Sequence, residues 1–331
     1  MGCAFFRLLS LMLVMFITNN AVAESGYRIA VVGKTKNDSF YQQSYKGCLH
    51  YAKSHPEIHC LYDGAADYQD VRTQVLVLED LLKQDIDALL VSVTDSAYLV
   101  EGVLEQYARQ NVPVITFDSD LLPQHRNYRM AYVGTDNFDF GQALGNAAKK
   151  YKKRQPQSIC LQSGHRTTPN LNARIAGVRH ALSGQSEQRL NGNSGWIEHP
   201  RCPLYNMGKR YDAVEQMVTM LGYEPRPIFL AVAGFAQFNP RYTQALSVFK
   251  PDIKKNQAVI ISADTEEIQL NALRQELSTL NIGQRPFEMG RLSTELMHRY
   301  LSEGAKPAQS HYYLDYHYCT PDNVDTCTTN Y

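Results

Sequence analysis

Asp118 and Asp264 each end an apolar run, and carboxylates so placed can hold the hydroxyl groups of a polyol. An ionised acceptor makes the stronger, charge-assisted kind of hydrogen bond. Asp118 opens the polar cluster Asp118-Ser119-Asp120 after Val112–Phe117, and Asp264 follows Ile260–Ala263. A third polar turn, Lys36-Asn37-Asp38-Ser39-Phe40-Tyr41, sets two aromatic rings beside Asn37 and Asp38. Such rings can pack on the C–H face of a sugar while Asp and Asn hold its hydroxyls. Arg174, in Asn172-Ala173-Arg174-Ile175-Ala176-Gly177, opens a helix, where a lone Arg is usually a surface residue but the helix dipole disfavours a cation, which favours a functional role. Each group also has a structural reading: Asp118 as a turn cap, Asp38 or Ser39 as a helix N-cap, and Phe40 as core. Paired carboxylates can also cleave a glycosidic bond, which keeps a hydrolase in view.

These groups meet only if the runs before them are parallel strands under covering helices. Residues 87–120 read as one such unit: Ala88–Val93 apolar, Ala97–Arg109 with helical spacing, Val112–Phe117 apolar again. Apolar runs of this kind suit strands buried on both faces, and ligands of open α/β sheets bind beyond their carboxyl ends. The same alternation places strands at Tyr27–Val32, Ile58–Tyr62 and Met130–Val133. It then restarts with Ser158–Gln162, Gly195–Glu198, Pro227–Ala233 and Ala258–Ala263, and ends in one strand over His311–Tyr318. Two α/β lobes follow, each a parallel sheet with helices on both faces.

Lys and Arg together number 33 and so do Asp and Glu, which leaves no electrostatic footprint for nucleic acid. Arg7, the apolar stretch Leu8–Ile17 and Ala21-Val22-Ala23 have the layout of a secretory signal peptide over residues 1–23. Six cysteines remain beyond it, and an even count in an oxidising compartment favours disulfides. Cys48 lies on the first helix and Cys60 on the neighbouring strand, Cys319 and Cys327 flank a short loop, and Cys160 and Cys202 are left to pair by elimination. No dinucleotide, phosphate-loop, serine-hydrolase or zinc-protease signature occurs. His311 and His317 lack a partnered cluster and read as strand residues, so no metal and no cofactor are expected.

In this order and spacing the motifs resemble the type I periplasmic sugar-binding proteins of the ribose-binding family, a cysteine-bearing subgroup of it. Asn37-Asp38-Ser39-Phe40-Tyr41 is similar to the family's N-N-P-F-F turn, and Val112–Asp118 to its I-P-V-I-T-x-D strand end. Tyr132–Asn137 resembles its entry into the second lobe. Arg174 is similar to the ligand-binding Arg of R-x-x-G, Asp264 to the Asp of G-F-D, and Gln284 to a hinge Gln. The resemblance implies two Rossmann-like lobes joined by three crossovers, near Val133, Gln284 and Lys306. The N-terminal lobe would take residues 24–132 and 285–306, the C-terminal lobe 133–284 and 307–331. It implies a monomer that closes on a monosaccharide or related polyol and delivers it to the permease of an ABC importer. A ligand-sensing subunit docking on a receptor such as a histidine kinase is the alternative. The implied ligand set is Asn37, Asp38, Phe40, Tyr41, Asp118, Ser119, Arg174, Asp264 and Gln284, with Trp196 or Tyr205 as the second-lobe aromatic. Ser119 stands where ribose binders carry an Arg, and Ala233–Phe238 replaces their N-D contact pair.

Overall fold

The computed structural model describes residues 26–66 and 68–327. The signal-peptide reading falls outside them, and among the described residues no helix is long and apolar enough to cross a membrane. Among the described residues thirteen strands form two sheets. The first sheet uses β1 (Tyr27–Thr35), β2 (Ile58–Ala65), β3 (Ala88–Val91), β4 (Val114–Phe117), β5 (Ala131–Gly134) and β12 (His311–Tyr313), in the order β12-β5-β4-β3-β1-β2. The second uses β6 (Gln157–Ser163), β7 (Trp196–Glu198), β8 (Leu204–Tyr205), β9 (Ile228–Ala231), β10 (Ile260–Ala263), β11 (Leu280–Gly283) and β13 (His317–Cys319), in the order β13-β11-β10-β9-β6-β7, with β8 also beside β6. Every pairing is parallel except β13 against β11. All four residues of β3 and of β4 are buried, as apolar runs covered on both faces must be.

Helices connect the strands and cover the faces. The stretch expected as one helix over Ala97–Arg109 is continuous, with a π-helical turn at Val100–Leu104 between two short α-segments. In the first lobe the helix Ser39–Ala52 lies against Pro286–Glu303, where a Cβ on Gly290 would strike the Ser44 carbonyl. In the second lobe Asn137–Lys149 lies against Pro169–Ser183, where a Cβ on Gly177 would strike the Phe138 carbonyl. Glycine permits both close crossings because it has no Cβ.

The chain passes between the lobes after Gly134, between Gly283 and Pro286, and between Tyr313 and His317. The third passage lies beyond the position expected near Lys306, and the first follows β5, which contains Val133. The apolar-rich run His311–Tyr318 is not one strand. Its first half pairs in parallel with β5 and its second half antiparallel with β11, so residues 307–313 belong with the first lobe. Alternation along a chain reports extended backbone and says nothing about which sheet accepts it.

All three disulfides join the expected partners, Cys48–Cys60, Cys160–Cys202 and Cys319–Cys327, at sequence separations of 12, 42 and 8. If they act by restricting the unfolded chain, their removal by paired Cys→Ala substitution costs about 3, 4 and 2.5 kcal/mol respectively. Denaturant titration of the three paired variants should return that order, with Cys160–Cys202 the largest. The reverse order would place the effect in the folded state.

Candidate functional site

The two strand-end carboxylates are geometric counterparts. Asp118 follows β4 with φ 58° and donates its N–H to Val133 O on β5; Asp264 follows β10 with φ 75° and donates to Ile282 O on β11. A left-handed backbone at a non-glycine residue is mildly strained, and Asp tolerates it better than most. Each lobe thus turns one Asp off the end of its sheet into a shared cleft, where both are buried.

Asp118 is the hub. Its Oδ2 accepts from Lys34 Nζ at 3.1 Å, Tyr41 Oη at 3.1 Å and Ser92 Oγ at 2.8 Å; its Oδ1 accepts from Asn170 Nδ2 at 3.0 Å, with Arg174 Nη2 at 3.6 Å. Lys34 Nζ also donates to Asn170 Oδ1 at 2.9 Å, closing a triangle that spans both lobes. Burial pushes the Asp118 carboxyl up, but the Lys34 and Arg174 charges and the Ser92 and Lys34 hydrogen bonds outweigh it, so its pKa is lowered. For Lys34 burial prevails over the attraction of Asp118, and its pKa is lowered. With the lobes together, Oδ2 takes three of the protein's own donors and Oδ1 takes one, where each oxygen offers about two acceptor positions.

Asp264 Oδ1 accepts from Gln284 Nε2 at 2.7 Å, and Gln284 Oε1 accepts from Thr135 Oγ1 at 3.0 Å and Arg174 Nη2 at 2.9 Å. Arg174 is largely committed within its lobe and the hinge: Nε donates to Asn137 Oδ1 at 2.8 Å, Nη1 to Val232 O at 2.9 Å, and the guanidinium stacks on Phe140 at 4.7 Å. Those contacts satisfy the cation that the helix dipole does not. Asp38 caps the helix Ser39–Ala52, its Oδ1 accepting from Phe40 N at 3.0 Å, and it also lines the cleft. Burial raises the Asp38 pKa against the pull of Arg210, which holds the rim by donating from Nη2 to Asn37 O at 2.7 Å.

Of the nine expected site residues, Asp38, Phe40, Tyr41, Asp118, Arg174, Asp264 and Gln284 line the cleft; Asn37 and Ser119 do not. Asn37 turns its amide to Ala66 O at 2.6 Å. Ser119 is fully buried, its Oγ without a hydrogen-bond partner. Trp196, in the edge strand β7, lies under Lys152, and Tyr205 under Arg166, both outside the cleft lining. Phe235 and Phe238 supply the second-lobe aromatics instead, from the stretch that departs from the family's pattern. Lys34, Gln69 and Asn170 line the cleft as well and were missed. Lys34 had one available signal, its place two residues upstream of the Lys36–Tyr41 turn on the same strand end.

The lobes are in contact. Besides the Lys34–Asn170–Asp118 triangle, Gln69 N donates to Met207 O at 2.9 Å and Thr167 Oγ1 donates to Asp95 Oδ2. About 30 Å³ of open space remains among the lining side chains. Larger hollows lie elsewhere, such as one of about 430 Å³ among Asn111, Val114, Tyr128 and Lys306, at the opposite end of the first sheet from its polar strand ends. The convergence of charged and aromatic groups from both lobes, rather than volume, identifies the site. Among the described residues one group has metal-ligand proximity, His317, Cys319 and Cys327, and its two sulfurs are bonded to each other.

Asp264 gives the cleft a pH dependence. Burial pushes its carboxyl up to about 6, against the pull of Arg174 and Gln284. Between the unfolded value of 3.8 and about 6 the folded protein holds a proton that the unfolded chain has released. The stabilisation from this group is therefore present below the unfolded value and is lost as pH rises through about 6, with a slope of at most about 1.4 kcal/mol per pH unit. Melting curves of the protein and of Asp264→Asn between pH 4 and 7 should converge toward the acid end and part toward neutrality, with the variant the more stable at pH 7. A gap that stays constant would contradict this.

Residues 29–306 match the family described as periplasmic binding protein domain. The D-ribose/D-allose-binding protein of Pseudomonas aeruginosa is 25% identical over 172 residues, 51% of this chain and 53% of the relative, so the match spans about half the length of that curated protein. Among solved structures, an ABC transporter solute-binding protein from Agrobacterium vitis with bound D-fucose has a TM-score of 0.78 at 19% identity, covering 90% of this chain and 97% of its own. A XylFII-LytSN complex has a TM-score of 0.72 at 17% identity, covering 90% and 98%. At those identities the structural likeness speaks for the fold.

Proposed function

The chain belongs to the periplasmic binding protein domain family, and on that premise we propose that it is an exported, monomeric solute-binding protein that captures a monosaccharide or related polyol between its lobes and delivers it to the permease of an ABC importer. The observation that carries the reading is the cleft itself. Asp38, Phe40 and Gln69 from one lobe face Asp264, Phe235 and Phe238 from the other, and Gln69 Oε1 is buried without a hydrogen-bond partner. Acceptors and aromatic faces in one cleft are what a ring bearing hydroxyls requires. Neither the family nor the cleft favours the hydrolase: the family is one of binding proteins, and Asp118 is held by four internal donors. The interlobe bonds fit a hinge motion about the three passages, with closure stabilised by groups that touch only when the lobes meet.

Calorimetry against a panel of monosaccharides, polyols and their derivatives, with small-angle scattering of each binder, tests the proposal. One ligand binding at one site with compaction is expected. A complete panel without binding, or binding without compaction, overturns it. The sensor reading stays open because one structural neighbour is a complex named for two proteins, XylFII and LytSN. Co-purification of the liganded protein with an importer's permease or with a sensor's periplasmic domain separates the two.

A further inference from the structure

The cleft contains a seat for an ammonium group, and the protein's own side chain occupies it. Lys34 Nζ lies 3.1 Å from Asp118 Oδ2 in its own lobe and 2.9 Å from Asn170 Oδ1 in the other, and all three residues are at most 3% exposed. With Lys34 there, the remaining 30 Å³ accommodates about two waters. A sugar ring needs far more, so a ligand of that size holds the lobes further apart or displaces the Lys34 side chain. Its departure strips a buried carboxylate of its ion pair, leaving Arg174 at 3.6 Å as the cation beside Asp118. Losing one of two ion pairs to a buried carboxylate is unfavourable, and a ligand ammonium restores that pair where a neutral hydroxyl offsets it only in part.

The rest of the lining makes the same demand. Asp38 and Asp264 face the space from opposite lobes, and among the described residues neither has an ion pair, Arg210 acting on Asp38 from the rim. The buried Gln69 Oε1 adds an acceptor without a donor. The rings of Phe40 and Phe235 add aromatic surface of the kind that attracts cations, and Phe238 already holds the Arg210 guanidinium at 5.6 Å. The three carboxylates outnumber the two lining cations, Lys34 and Arg174, which disfavours a sugar acid. Resting on the reading of the chain as a sugar-capturing protein, we propose that the ligand is an amine-bearing monosaccharide, an amino sugar, whose ammonium takes the place of Lys34 Nζ between Asp118 and Asn170.

Calorimetry at neutral pH with D-glucosamine, D-galactosamine and D-mannosamine, each beside its neutral parent hexose, and with D-glucuronate, tests this. At least one amino sugar should bind about tenfold or more tightly than its parent. Lys34→Gln removes the competing ammonium while keeping a donor for Asp118, and should tighten amino-sugar binding further; Lys34→Met, should the first variant fold poorly, retains the apolar stem alone. Equal or tighter binding of a neutral hexose, preference for glucuronate, or weaker amino-sugar binding in the Lys34 variants overturns the inference and leaves sugar capture standing. No binding of any sugar, charged or neutral, overturns both.

Discussion

Asp118→Ala is expected to open the cleft before it unfolds either lobe. With the lobes together, the substitution leaves the Lys34 ammonium buried with Asn170 as its remaining partner and frees Asn170 Nδ2, Tyr41 Oη and Ser92 Oγ from their shared acceptor. Breaking a buried ion pair from one side costs about 3–5 kcal/mol. Lys34 and Asp118 both belong to the first lobe, so parting the lobes lets water reach the ammonium and removes most of that cost. Open and closed forms of hinged proteins differ by only a few kcal/mol, so the balance tips toward open. Small-angle scattering should report a larger radius of gyration than for the unsubstituted protein. The pair Lys34→Met with Asp118→Ala, which removes both charges, should recover much of the compaction, and the non-additivity measures the coupling. An unchanged radius with a melting temperature lowered by about 5–8 °C would make Asp118 a static core group instead.

Arg174→Ala is expected to cost more, and in a way that opening does not relieve. Its partners Asn137, Val232, Gln284 and Phe140 lie in the second lobe and at the hinge, so the loss persists whether or not the lobes touch. Three charge-assisted hydrogen bonds vanish, Gln284 Oε1 keeping Thr135 as a donor, and one of the largest fully buried side chains among the described residues leaves a void. The expected loss is roughly 3–5 kcal/mol, or about 5–8 °C in melting temperature for a chain of this size. Arg174→Lys should rescue little, because one ammonium cannot reach the Nε, Nη1 and Nη2 acceptors together or stack on Phe140. Full stability in the Lys variant would show that charge alone matters at this position.

How much of this was legible beforehand follows the range of the interactions. The apolar runs before Asp118 and Asp264 mark strands buried on both faces, and the polar residue after each run marks the sheet end where a cleft forms. The Asp38 cap is likewise local, with an acceptor and a donor two residues apart. Cys48–Cys60 and Cys319–Cys327 lie at 12 and 8 residues, close enough for neighbouring elements to imply the pairing. Other features depended on partners far along the chain. Lys34 meets Asp118 across 84 residues and Asn170 across 136, and nothing in Gly33-Lys34-Thr35 marks that lysine as buried rather than solvated. The split of His311–Tyr318 between two sheets and the arrival of Phe235 and Phe238 in the cleft are of the same kind. Periodicity along a chain records which face of an element is covered; which charge neutralises which carboxylate is settled only where distant segments exclude water together.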